Sequence, residues 1–429
     1  MREREQAFRA LRKVENDQAY ASLAIEAQGI EDRSLAFVRT IVLGVLRWRS
    51  RLDFVIERLS SRPLDRIQPD TLQLLRIGIY QLMFMDVPPY AAVAETVAVA
   101  STHAQRARSF INAVLRAASR ADLMSLVPED DSARAAAIRL GHPPWLFERW
   151  ERRLGRERAR AIAEANQNLS FPDLLVNTRR ISFEQARNLL EEKKVPYSPS
   201  ALVDNVVKLE GPTTAVSEEI SKGLFHPMDE GSSVIATLLP RCTGPILDLA
   251  AAPGGKTIAL LLRGDEVISH DVSFRRMRFL REALPRLIGA DGARLVVGDA
   301  RRTPFRSRFE VVLLDAPCSA TGTIRKNPEI KWRLDPRTID EFARLQETLL
   351  HAALDLAGTE CLYSTCSIER EENDDLVERV LEARPEFRRI DLGERASIAV
   401  KAWIEQGVLR LTPDSGADGF TAFALRRVS

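Results

Sequence analysis

Asp248-Leu249-Ala250-Ala251-Ala252-Pro253-Gly254-Gly255-Lys256-Thr257 stands where a short apolar run, Ile246 to Ala250, gives way to a helical pattern. Two glycines at a strand-to-helix turn let backbone amides approach a ligand closely, and the helix start behind them favours a negative group. The tail Gly255-Lys256-Thr257 matches the end of a phosphate-binding P-loop, and Val311 to Asp315 has the form of a metal-binding strand of a nucleotide hydrolase. That motif requires a first glycine where Ala250 stands, which disfavours the hydrolase.

Outward from this loop, candidate strands follow at Glu266 to His270, Arg294 to Val297, Val311 to Asp315 and Glu360 to Thr365, with helical patterns between most of them. Such alternation predicts a parallel sheet covered by helices on both faces, closed here by an antiparallel pair at Val408 to Leu411 and Thr421 to Leu425. Asp248 and Asp271, 23 residues apart, and then Asp299 and Asp315 fall at successive strand ends. An acidic side chain at the second strand end can accept hydrogen bonds from ribose hydroxyls. Any one of the four could simply cap a helix, but together they would repel a triphosphate and suit a cationic sulfonium nucleoside.

Of the four cysteines, Cys242 and Cys361 read as inert packing residues, and no CxxC pair suggests a metal site. Cys318, in Asp315-Ala316-Pro317-Cys318-Ser319-Ala320-Thr321-Gly322, and Cys366, in Ser364-Thr365-Cys366-Ser367, leave consecutive candidate strands. Ser367 has the look of an N-cap for a helix from about Glu369, whose N-terminus would stabilise a Cys366 thiolate. A thiolate added to carbon 6 of cytosine makes carbon 5 nucleophilic towards a sulfonium methyl. A second group must then help release the product, a role open to Cys318. Asp315, if protonated, could hydrogen-bond the pyrimidine N3.

The region before Arg120 is helical throughout: Phe37, Ile41, Val42, Val45 and Leu46 share one face, and Leu72, Leu75, Ile79, Leu82 and Met83 another. Pro63, Pro69 and Pro88-Pro89 mark breaks between helices. The polar stretch Val127 to Asp131 suggests a boundary, beyond which a basic helix carries Arg149, Arg152, Arg153, Arg156, Arg158 and Arg160, ahead of a strand at Asp173 to Asn177. That helix is either an RNA-binding face or ordinary solvated surface. We expect three domains, at residues 1–127, 128–232 and 233–429. A chain of 429 residues, 45% hydrophobic and 28% charged with net charge +2, is an ordinary soluble globular composition. The charged start Arg2-Glu3-Arg4-Glu5 and the lack of a long apolar run argue against a signal peptide or membrane span, so a cytoplasmic protein with no membrane partner is expected.

In this order, the loop Asp248 to Thr257, the segment Leu314 to Gly322, Thr365-Cys366-Ser367 with Glu371-Glu372-Asn373, and Asp418-Gly419-Phe420 resemble the RNA cytosine-5 methyltransferase family. Gly44-Val45-Leu46-Arg47, Leu75 to Leu82, Pro88 to Val97 and Phe110 to Arg116 resemble a NusB-like RNA-binding domain. Together they have the layout of the RsmB/Sun/Fmu-type ribosomal RNA methyltransferases. The resemblance implies a multidomain protein: an all-α NusB-like domain, an α/β middle RNA-binding region and a Rossmann-like class I methyltransferase domain. It implies S-adenosyl-L-methionine as cofactor, 16S ribosomal RNA as partner, no metal and a monomer. By position it implies Cys366 as nucleophile, Cys318 for release, Asp315 at cytosine N3, and a cofactor site of Asp248, Ala250, Ala251, Ala252, Pro253, Gly254, Gly255, Lys256, Asp271, Asp299 and Asp315. Ala250 stands where relatives commonly have cysteine, and Thr421 where they commonly have an aromatic residue. The alternative to an enzyme is a NusB-type RNA-binding regulator, which leaves both cysteine motifs unexplained.

Overall fold

The computed structural model describes residues 2–289 and 293–428, which form two compact units. The first comprises the chain up to Asn168 together with Ile324–Arg333. It is helical among the described residues, with long helices at Asp32–Ser60, Pro69–Phe84 and Pro89–His103. Pro69 and Pro89 sit at helix starts, where a missing amide hydrogen costs nothing. Ile41, Val42, Val45, Leu75 and Ile79 are buried together, as their spacing predicts.

The segment Ile324–Arg333 is tied into this unit by polar groups. Ala21 N donates to Glu329 Oε1 at 2.9 Å, and Trp332 Nε1 donates to Leu46 O at 2.6 Å. Lys331, wholly buried, donates to Arg47 O at 2.8 Å, and Arg47 donates to Arg325 O at 3.1 Å. The boundary expected at residues 127/128 falls inside the unit, which continues through the basic stretch. The single basic helix expected there is two helices, Pro144–Leu154 and Arg156–Ala165, because Gly155 adopts φ +81° between them. Arg156 pairs with Glu151 at 2.9 Å and Arg160 with Asp131 at 3.5 Å, so part of this charge is neutralised locally.

The second unit holds two sheets. The smaller has β1 (Asp173–Val176), β2 (Tyr197–Pro199), β3 (Val206–Leu209) and β4 (Phe225–Pro227), antiparallel in the order β2-β3-β1-β4. In the larger, β5 (Ile246–Asp248), β6 (Val267–Asp271), β7 (Ala293–Val297), β8 (Phe309–Asp315) and β9 (Ala357–Thr365) run parallel in the order β7-β6-β5-β8-β9. Then β10 (Phe387–Ile390), β11 (Ile404–Glu405), β12 (Val408–Leu411) and β13 (Phe420–Arg427) complete the sheet, with β13 antiparallel to both β9 and β12.

Both faces of the parallel strands are covered, so successive residues of one strand enter different cores. Val312 and Leu314 of β8 pack with Leu350, Leu354 and Leu376 from helices Pro336–Leu356 and Asp374–Ala383. Val311 and Leu313 pack on the opposite side with Ile258, Leu261 and Leu280. The chain leaves β5 towards β6 and returns on its other side as β8. This reversal opens a crevice at the carboxyl ends of β5 and β8, where open α/β sheets bind ligands. Among the described residues, no helix is long and apolar enough to cross a membrane.

Candidate active site

The loop after β5 shapes one wall of a cavity of about 540 Å³ at that crevice. Gly254 adopts φ +111°, and a Cβ there would come within 2.5 Å of Leu280 Cδ1, so this position requires glycine on two counts. Helix Gly255–Arg263 starts directly behind it. Of the residues expected at a cofactor, Asp248, Ala251, Ala252, Pro253, Gly254, Gly255, Lys256 and Asp315 line the cavity. Ala250, Asp271 and Asp299 are outside its lining. Ala250 packs against the core behind the loop. Asp271 braces the loop, accepting from Ala252 N at 3.0 Å and from Arg276 Nη2 at 3.0 Å. Asp299 caps the turn Ala300–Arg302 and pairs with Arg301 at 2.7 Å, which lowers its carboxyl to about 2.

The sequence reading missed the opposite wall, built by His226, Pro227, Met228, Asp229 and Ser232 where β4 meets helix Glu230–Leu238. Asp229 accepts from Gly231 N at 2.7 Å and caps that helix. Asp229 followed by Glu230-Gly231-Ser232-Ser233 is a helix-start pattern that could have been recognised.

Lys256 lies at the junction of the cavity and the cysteines. It donates to Asp315 Oδ2 at 2.7 Å and lies 4.7 Å from the centre of the Phe420 ring. Burial pushes the ammonium down, but the charge and hydrogen bond of Asp315, then the charges of Cys366 and Asp248, outweigh it and raise Lys256 above its ordinary value. Both oxygens of Asp315 accept hydrogen bonds, Oδ2 from Lys256 and Oδ1 from Ser364 at 2.9 Å.

Cys318 Sγ and Cys366 Sγ lie 3.3 Å apart. The hydrogen bond to Cys366 is the largest cause holding the Cys318 thiol well above its ordinary value, followed by burial and the charge of Cys366. The helical segment expected from about Glu369 starts as a short 3-10 helix at Arg370–Glu372, with no side-chain cap, and the α-helix begins only at Asp374. Ser367 Oγ does accept from Glu369 N at 3.0 Å, but this caps no helix, so Lys256 replaces the helix terminus as the positive partner near Cys366. Cys361 faces the core, where burial pushes its thiol up. Among the described residues no group of three or more His, Cys, Asp or Glu side chains could hold a metal ion.

Asp248 is wholly buried, and burial raises its carboxyl from 3.8 to about 7, against the hydrogen bond from Thr257. Its Oδ2 accepts from Thr257 Oγ1 at 2.7 Å, whereas Oδ1 is buried with no protein partner. Because the folded protein holds this proton more tightly than the unfolded chain, stability falls as pH rises from about 4 to about 7 and the penalty persists above that. The size is on the order of a few kcal/mol. Asp248→Asn should lose this component, so its urea midpoint should decline less than wild type between pH 5 and pH 8. Parallel declines in the two proteins would show that Asp248 titrates normally.

Residues 235–426 match the family described as 16S rRNA methyltransferase RsmB/F, residues 1–120 match the NusB family, and residues 142–216 match an RsmF/B-like ferredoxin-like domain. The probable ribosomal RNA small subunit methyltransferase B of Bacillus subtilis (strain 168) is 30% identical, covering 99% of this chain and 98% of its own. The ribosomal RNA small subunit methyltransferase B of Escherichia coli O17:K52:H18 is 36% identical, covering 81% of each chain. A solved structure of a methyltransferase homolog protein from Pyrococcus horikoshii is 26% identical with a TM-score of 0.58, covering 70% of this chain and 100% of its own.

Proposed function

From the premise that this chain belongs to the 16S rRNA methyltransferase RsmB/F family, we propose that it transfers a methyl group from S-adenosyl-L-methionine to carbon 5 of a cytosine in 16S ribosomal RNA, through a covalent bond to Cys366. The observation that carries this reading is the pair of sulfurs at 3.3 Å beside a buried lysine.

The cavity suits the cofactor. The orphaned Asp248 Oδ1 is a buried polar atom with room for a ligand's hydrogen bond, and Asp229 at the start of helix Glu230–Leu238 adds a further acceptor to the lining. These residues and the loop Ala251 to Lys256 would hold it, and Asp271 would act by fixing the loop. When bound, the cofactor supplies the electrophilic methyl group.

The two thiols take unlike parts. Cys366 adds to carbon 6 of the cytosine, with the Lys256 ammonium nearby. The Asp315–Lys256 pair, close to Cys366, offers the polar contact for the pyrimidine N3 edge. Once Cys366 is bonded to carbon, its charge and its hydrogen-bond acceptance disappear, and with them two of the three largest causes that hold the Cys318 proton. Cys318 then gives up its proton to solvent more readily, and the resulting thiolate takes the carbon 5 proton after methyl transfer. The electrons of the broken carbon 5–hydrogen bond restore the double bond to carbon 6, and the Cys366 sulfur leaves with the pair of its bond to carbon.

The helical unit and the middle sheet would bind the RNA. Bisulfite sequencing of 16S ribosomal RNA from cells lacking the protein should show one lost 5-methylcytosine, restored by wild type. An unchanged pattern, or restoration by Cys366→Ala, would refute the reading.

A further inference from the structure

Glu372 is wholly buried beneath both cysteine motifs. Its Oε1 accepts from Ser319 N at 2.8 Å and from Gln346 Nε2 at 3.0 Å. Its Oε2 accepts from the hydroxyls of Ser319 and Ser367, the residues that follow Cys318 and Cys366. Those hydroxyls are themselves 3.1 Å apart. Gln346 also donates to Pro317 O at 2.8 Å, on the other side of Cys318, and the backbone carbonyl of Glu372 accepts from Tyr363 OH at 2.7 Å. One carboxylate thus holds the loop after β8 to the loop after β9.

We propose that Glu372 is a positioning residue that sets the separation of the two cysteines and thereby the rate of product release. The inference rests on the cysteine roles assigned above. It is asymmetric, because Cys366 has independent anchors. Cys366 O accepts from Gly322 N at 3.0 Å, and Ser367 O accepts from Asn373 Nδ2 and from Thr421 Oγ1, each at 3.0 Å. Ser319 has fewer: its amide is held by Glu372 and its hydroxyl by Glu372 and Ser367. Loss of Glu372 therefore releases Cys318 more than Cys366, so attack continues while departure slows.

The test combines steady-state kinetics with denaturing gels of enzyme incubated with RNA and cofactor. Glu372→Ala should lower kcat on the order of tenfold to a hundredfold, leave cofactor affinity unchanged, and accumulate a covalent protein–RNA complex although both cysteines are present. Glu372→Gln should restore release, because its amide oxygen can accept from Ser319 N and its NH2 can donate to the hydroxyls, which can rotate to accept. A purely structural role would lower activity only in step with the folded fraction seen by circular dichroism, with no adduct, and that result would overturn the proposal. If Glu372→Ala does not fold, Ser319→Ala removes a single hydroxyl and carries the same test: adduct accumulation supports the proposal and its absence overturns it. Should Cys318→Ala itself trap no adduct, the cysteine roles fail, a result distinct from failure of Glu372→Ala alone.

Discussion

Cys366→Ala should lower methyl transfer to RNA by about a thousandfold or more and give no covalent protein–RNA complex, because carbon 5 of cytosine is never activated. Cys318→Ala should also fail to turn over, yet it should accumulate that complex, stable to denaturing electrophoresis. The reason lies in the proposed roles: the sulfurs are 3.3 Å apart and the hydrogen bond to Cys366 is the largest cause holding the Cys318 thiol up, so on this proposal Cys318 acts only after Cys366 has reacted. Cofactor affinity, measured by calorimetry, should be the same in both variants and in wild type. Adduct in Cys366→Ala but not in Cys318→Ala would reverse the assignments, and full activity in either would end the case for paired cysteine catalysis.

Gly322→Ala should damage both stability and catalysis. A Cβ on Gly322 would lie 2.4 Å from Gly419 O and 2.8 Å from Gly419 Cα, contacts with backbone that no rotamer change can relieve. The two glycines are also joined by Gly419 N donating to Gly322 O at 2.8 Å, and Gly322 N donates to Cys366 O at 3.0 Å. Forcing these strands of chain apart should cost about 1 to 3 kcal/mol in unfolding free energy. Because the same shift moves the carbonyl of Cys366, the proposed nucleophile, kcat should fall by about a hundredfold even at temperatures where the variant is folded. Urea titrations and single-turnover assays on the same preparation separate the two effects; a stable variant with wild-type kcat would refute the close approach.

Period and motif carried much of this architecture. The five parallel strands and the helical faces around Ile41 and Leu75 are legible because the hydrophobic pattern repeats over many residues. The glycine loop and both cysteine motifs were visible for a different reason, since special backbone and reactive side chains advertise themselves. The short strands β2 and β4 escaped notice: each is only three residues long and ends in proline, with no room for alternation. Glu372 was legible only as part of the motif Glu371-Glu372-Asn373, with no role of its own. Glu371 and Glu372 are alike in type, and only tertiary structure buries one completely and leaves the other part-exposed. The misplaced helix start after Cys366 came from treating Ser367 as a cap, whereas its hydroxyl is spent on Glu372 and the turn that follows. Asp299 went the other way, and the cap that could explain any single strand-end aspartate is what it forms.

The tether at Ile324–Arg333 has a consequence for how the chain is made. Synthesis is vectorial, and N-terminal segments ordinarily fold as they emerge. Here the helical unit cannot finish on emergence, since Leu46 O, Arg47 O and Ala21 N wait for Trp332, Lys331 and Glu329. By then the ribosome has already produced β5 to β8 and the Cys318 loop. The peptide that supplies these partners begins six residues after Cys318, more than 150 residues of translation after Asn168.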